Sequence, residues 1–307
     1  IEIPFDSKEV SHVATISANN DKKLGELIAM AFRRVGKTGS VAAIEAGNLE
    51  TTVEVVEGLD FNRGYVDRSF CTNASNMTVD LFDCLVLITD YKIHSFRQLL
   101  PILEKANKLN KPLLIISDEI DGAVLQTMIL NHSQSIINVA CVKAPGYGPE
   151  REDLLEDLAI ITGSKFIAES KGLKLEDAEI EDLGGASKVH ITSDMTTIID
   201  GDGDTDDIEE RLALIQTQIG TESDDYKNSK LVERLGKISG GVAVIYVGGH
   251  TDTEVEERKL RVDDAVAATQ AAIQEGIVPG GGVELVLSGN SIGVDSLGLT
   301  NKDQEMG

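Results

Sequence analysis

The sequence predicts an α/β fold in which a parallel-strand βαβ core is inserted into a smaller α/β unit. Three observations carry that prediction. LFDCLVLITD, KPLLIISD and INVACVKAP are near-continuous apolar runs, the pattern of strands covered on both faces. Helical stretches at 99–110 and 122–132 separate these runs, and such alternation implies right-handed crossovers. Glycines at 58 and 241 bracket the region, so that residues 1–57 and 242–276 would meet as one unit around an insertion at 58–241.

The elements follow in order. Residues 19–34 read as an amphipathic helix, with Leu24, Leu27, Ile28, Ala31 and Phe32 on one face and Gly36 at the stop. The GKT at 36–38 invites a phosphate-loop reading. It fails because the glycine required five positions earlier is Ala31, and a helix precedes it rather than a strand. TTVEVV at 51–56 alternates like a strand. Pro101 cannot sit deep inside a helix, so that helix is expected to start at about Leu100 with proline in its first turn.

In IDGAVLQTMILNH, Asp121 is the N-cap. Val124, Leu125, Met128 and Ile129 share one broad face, and Leu130 falls on the other side. Two readings stand open: a fully buried helix, or a helix with an apolar edge left exposed for binding.

After Pro145, GYGPERED is a turn, followed by a helix through 154–161. KVHITSDMTTIID reads as β-structure. DGDGDTDDIEE mimics a calcium loop from Asp200, but its sixth position is Thr205 and its twelfth Arg211, so it reads as a solvated loop capping the next helix. Residues 208–219 and 226–235 read as an antiparallel helix pair. SGGVAVIYVGG restarts a strand, a long charged helix spans roughly 253–275 up to Gly276, and IVPGGGVELVL puts three glycines before another apolar helix.

Composition excludes several classes. With 28 basic against 52 acidic side chains, the net charge of −24 opposes nucleic acid and anionic membranes as partners. No apolar run approaches the roughly 18 residues that a membrane helix needs. Cys71, Cys84 and Cys141 form no CxxC and read as reduced thiols; no metal site is expected. The opening IEIPFDSKEV has neither an initiator Met nor a signal pattern, so the chain is expected to be a fragment or a processed product.

Taken together, VATISANND, VVEGLDFNRGYV, KPLLIISD, VKAPGYG, TTIIDG, GGVAVIYVGG, KLRVDDAVAATQAAIQEG and IVPGGG resemble, in order, the middle of a group I chaperonin subunit. The resemblance covers residues 6–287. It implies an apical domain (58–241) with a parallel-strand βαβ core, inserted into a small α/β intermediate domain (1–57 and 242–276), with a short helical equatorial remnant (277–307). It implies a molecular chaperone that captures unfolded polypeptides and, in a ring of seven, releases them in a cycle driven by ATP, magnesium and a co-chaperonin. An ATP-independent peptide-holding module is the alternative. The resemblance favours a plastid-type stroma, or a bacterial cytoplasm, as its location.

By matching motifs, the resemblance assigns client and co-chaperonin binding to Tyr65, Phe70, Leu100, Leu103, Leu125, Ile129 and Leu130. Asp67-Arg68-Ser69 replaces the usual Ser-Pro-aromatic, which removes apolar area from that edge. Asp264 matches the carboxylate that promotes attack of water on the terminal phosphate, with Asp263 a solvated neighbour. Gly281 matches a nucleotide contact. Gly58, Gly241 and Gly276 match hinges. Asp21 with Arg261, and Arg63 with Asp252, match switchable ion pairs. The family's main phosphate loop and its magnesium-binding acid occur nowhere here, so no cofactor is expected on this chain alone and no ATP turnover from it.

Overall fold

The computed structural model describes residues 4, 7–36, 39–46, 49–73 and 77–292. Lys37 and Thr38 of the rejected phosphate-loop reading, and residues 293–307 of the expected equatorial remnant, lie outside them.

The chain opens with α1 (Lys8–Ser17) and α2 (Lys22–Val35), then β1 (Ser40–Glu45) and β2 (Thr52–Val56). The α2 start follows from chemistry: Asp21 accepts a hydrogen bond from the Leu24 amide at 3.1 Å, satisfying a donor the first turn leaves free. The chain then builds β3 (Gly58–Phe61), β4 (Val79–Ile88), the two-residue β5 (Lys92–Ile93), α3 (Phe96–Lys108), β6 (Leu113–Ser117), the short β7 (Glu119–Ile120), α4 (Gly122–Ser133), β8 (Val139–Lys143) and α5 (Pro149–Thr162). It continues through β9 (Gly184–Ile191), β10 (Thr196–Gly201), α6 (Thr205–Thr221) and α7 (Asp225–Gly240). It returns as β11 (Val242–Val247), α8 (Asp252–Glu275) and α9 (Val283–Ile292).

Two principal sheets result. The small one has the order β1-β11-β2, with β1 and β11 parallel and β2 antiparallel, so its strands come from either side of the long middle segment. Its apolar face packs on α1, α2 and α8, through Val10, Leu24, Ile28, Phe32, Ile245 and Val262. The large sheet has the order β3-β10-β9-β4-β6-β8. The β4, β6 and β8 strands are parallel, as their apolar runs predict, while β9 and β10 add an antiparallel half. Both β4-to-β6 and β6-to-β8 step the same way across the sheet, so right-handed crossovers put α3 and α4 side by side on one face.

The chain passes between the sheets at two neighbouring places. Glu57 separates β2 from β3, and Gly241 separates α7 from β11. At Gly241 the backbone has φ +61°, and a Cβ there would stand 2.5 Å from the Val56 carbonyl oxygen, so both conformation and space call for glycine.

One helix start differs from expectation. The α3 helix begins at Phe96, not near Leu100, because Ser95 and Gln98 form a capping box. The Ser95 hydroxyl accepts from the Arg97 amide, and Gln98 Oε1 accepts from the Ser95 amide. Pro101 therefore lies inside the helix rather than in its first turn.

Candidate binding groove

In α4, Asp121 caps the first turn by accepting from the Ala123 amide at 3.0 Å. Val124 and Met128 are buried, and the Met128 sulfur lies 4.0 Å from Cys141 Sγ of β8. Leu125 and Ile129, each one residue further round, are half-buried at the flank. Leu130 stands outside with 57% of its surface exposed. The helix is therefore apolar on more of its circumference than the sheet covers, and it is not fully buried.

The α3 helix repeats the arrangement. Leu99, Ile102 and Ala106 are buried, and Leu100 is 39% exposed. Leu103, assigned to the binding surface by resemblance, is only 4% exposed and packs in the core. It lies four residues after Leu99, which puts it on the inward stripe.

A third element closes the region. Asp67 accepts from the Ser69 amide at 2.8 Å and starts a single 3₁₀ turn, Arg68–Phe70. Phe70 is fully buried, with its ring 5.5 Å from the His132 ring of α4 in an edge-on contact. In this arrangement Phe70 anchors the turn rather than offering contact area. Tyr65 is half-buried and bridged to Val142, while Val66 and Ser69 are exposed. Sequence reasoning missed Val66 and His132; the Phe70–His132 contact joins residues 62 apart and leaves no local signal.

The remaining candidates lie elsewhere. Asp264 is exposed on α8. Asp263, expected to be solvated, is instead half-buried. Burial pushes its carboxyl up to about 6, against the opposing pull of Lys259, His190 and Lys188. Gly281 sits in the turn before α9, and Gly276 caps α8. Gly58 opens β3 opposite Ile199. Asp21 is occupied as the α2 cap, and Arg261 donates to Glu257 at 2.7 Å. The Arg63 guanidinium lies over the Tyr147 ring, 5.1 Å from its centre, and its buried Nε has no hydrogen-bond partner. Asp252 is the first residue of α8. Neither Asp21–Arg261 nor Arg63–Asp252 is joined in this arrangement.

A cavity of about 250 Å³ opens away from α3 and α4, beside Asp60, Arg63, Asp157, Arg234 and Lys237. Its charges largely satisfy one another: Arg234 donates to both oxygens of Asp157, at 2.8 and 3.0 Å. No group of three or more potential metal-binding side chains occurs among the described residues, and none of their helices is long and apolar enough to cross a membrane.

The apolar flank therefore stands on a sheet whose chain is inserted between two strands of a second sheet. Residues 1–290 match the family model of the TCP-1/cpn60 chaperonins, which makes this a protein of the molecular chaperone class. The chain belongs to the TCP-1/cpn60 chaperonin family.

Proposed function

We propose that this chain is the client-handling part of a group I chaperonin subunit. In this reading residues 58–241 form the apical domain, 1–57 with 242–276 the intermediate domain, and 277–307 a fragment of the equatorial domain. Non-native polypeptide binds along α3 and α4, through Leu100, Leu125, Ile129 and Leu130, with Tyr65 at the edge. The single supporting observation is the pair of outward leucines, Leu100 and Leu130, on adjacent helices anchored to the core through Leu99, Ile102, Val124 and Met128. Phe70 and Leu103 support that surface from beneath.

Physical chemistry sets the style of binding. Covering one exposed Leu or Ile contributes roughly 1.5–3 kcal/mol at most, and ordering a flexible client opposes it. One groove binds weakly; a ring of identical grooves converts weak contacts into capture through effective concentration. Selectivity is for apolar segments rather than for a sequence. Release follows from rotation of the apical domain about Gly58 and Gly241, and of the intermediate domain about Gly276. That motion exchanges client for co-chaperonin and re-pairs Asp21 with Arg261 and Arg63 with Asp252.

Toward nucleotide, the chain offers Asp264 and Gly281 but no phosphate-cradling loop, so the present residues do not by themselves make an ATP–magnesium site. The full-length subunit would supply the rest, with Asp264 orienting the attacking water. That same lack favours, for this chain alone, a second reading as an ATP-independent holdase.

The test is suppression of aggregation of a chemically denatured client by chain 1–307 without nucleotide. Suppression that is lost in a Leu100→Ser, Leu130→Ser double variant supports the proposal. Suppression that the double variant retains overturns it.

A further inference from the structure

The cavity beside Asp60 and Arg63, about 250 Å³ in volume, takes no residue from α3 or α4. Strand β3 and the residues just after it form one wall, and α5 forms a second. The third is a single face of α7: Lys230, Glu233, Arg234, Lys237 and Ile238 follow one another at steps of three and one, the spacing that lines up side chains along a helix. At about 30 Å³ per water the space has room for roughly eight waters, and so for a ligand of about that many non-hydrogen atoms.

Much of the charge in these walls is spent internally. Asp157 of α5 accepts from Arg234 at 2.8 and 3.0 Å and from Arg211 at 2.7 Å, and Lys230 lies 3.1 Å from Glu233. Asp60, Lys237 and Arg63 differ. Asp60 of β3 is only 7% exposed, and its Oδ1 is buried with no hydrogen-bond partner. Its ion-pair partner, Lys237, stands 3.8 Å away, beyond hydrogen-bond reach. Lys237 has no better carboxylate, since Glu233 is also at 3.8 Å. Arg63 keeps a buried Nε without a partner. A buried carboxylate that accepts no hydrogen bond is costly, and such groups call for a partner.

We propose that this cavity binds a small apolar α-amino acid as its zwitterion, with the ammonium group against Asp60, the carboxylate against Arg63 and Lys237, and the side chain against Leu154, Leu158 and Ile238. The signs decide the ligand class. The lining carries four basic and four acidic side chains, so it has no net charge with which to draw a simple anion or cation. A phosphate or a plain carboxylate would meet Arg63 and Lys237 but leave Asp60 unpaired and repelled, and an alkylamine would do the reverse. A zwitterion brings a donor to the one and an acceptor to the other two. The apolar patch sets the side chain: Leu158 and Ile238 are buried and Leu154 is half-buried. Bound there, the ligand ties β3 to α7, the two elements of the large sheet's unit that adjoin the chain crossings at Glu57 and Gly241.

Titration of chain 1–307 with L-leucine, L-valine and L-phenylalanine, followed by calorimetry and by amide NMR shifts, tests the site. The controls are 4-methylpentanoate, which is leucine without its ammonium group, isoamylamine, which is leucine without its carboxylate, and inorganic phosphate. Saturable binding of at least one of the three amino acids is expected, with the largest shifts in β3 and α7. Each control should bind about 10-fold more weakly or worse, because it leaves a buried charge unpaired. Asp60→Asn should weaken the amino acid about 10-fold or more. No saturable binding by any of the three, a control that binds as tightly as they do, shifts confined to α3 and α4, or an affinity unchanged in Asp60→Asn overturns the proposal. The controls are compared on the native chain, so they decide the matter even where Asp60→Asn fails to fold.

Discussion

Replacing Leu130 by serine separates binding from stability more sharply than any other single change on α4. The side chain keeps 57% of its surface in water, so folding gains little from it and a client has that area left to cover. Fully burying a leucine is worth roughly 1.5–3 kcal/mol, so covering the exposed part contributes about 1–2 kcal/mol. Leu100, at 39% exposure, contributes somewhat less, about 0.6–1.2 kcal/mol. The single Leu130→Ser variant should weaken binding of a labelled apolar peptide about 4- to 20-fold. The Leu100→Ser, Leu130→Ser pair should lose about 10-fold or more, since the two sites are on different helices and add. Fluorescence anisotropy gives the affinity, and thermal unfolding of the same samples should show midpoints within a few degrees of the parent. Unchanged peptide affinity in the double variant would refute the reasoning. So would a loss of affinity matched by a large drop in the unfolding midpoint.

Phe70→Ala should behave in the opposite way: loss of a fully buried ring and its edge contact with His132 should cost about 3–5 kcal/mol in denaturant unfolding. Asp157→Asn leaves Arg234 and Arg211, which donate to it at 2.7–3.0 Å, short of a buried counter-charge, and should cost about 3–5 kcal/mol by the same measurement. Asp80 is held below the usual carboxylate range in the folded state, so its contribution is present above about pH 4 and is lost as pH falls further; Asp80→Asn should flatten the acid limb of a stability–pH curve. Gly241→Ala combines a strained positive φ with a Cβ 2.5 Å from the Val56 carbonyl, and should cost more unfolding free energy in denaturant than the roughly 1–3 kcal/mol of the backbone conformation alone.

What the sequence made legible was whatever repeats locally. The runs that become β4, β6 and β8 are apolar at successive positions because both faces are covered, and no surface element looks like that. Glycines 241 and 276 stand where the backbone turns to positive φ, at the junctions the sequence marked. The start of α3 is also written locally, in Ser95 and Gln98, but the expectation rested on Pro101 alone and set the boundary inward. Helix α1 and strand β1 are short and mix small with apolar residues, so neither period stands out. Burial within an element was harder. Leu100 and Leu103 lie on one helix three residues apart, and resemblance gave them one role; docking of the helix on the sheet buries one and leaves the other out. For Asp263 the deciding factor is burial, which the charged pattern of α8 does not announce.

The same division explains how one chain can leave apolar side chains exposed and remain folded. Leu125, Ile129 and Leu130 are tolerable because Val124 and Met128, on the same helix, are fixed to the sheet beneath. The large sheet has its own core around Ile115, Val142 and Val189, and the small sheet has another around Ile28, Ile245 and Val262. Each can hold its shape while the few apolar contacts between them change. The packing that orders α3 and α4 belongs to the core of the large sheet and does not pass through the junction. What passes through it is a short apolar seam and two neighbouring chain crossings.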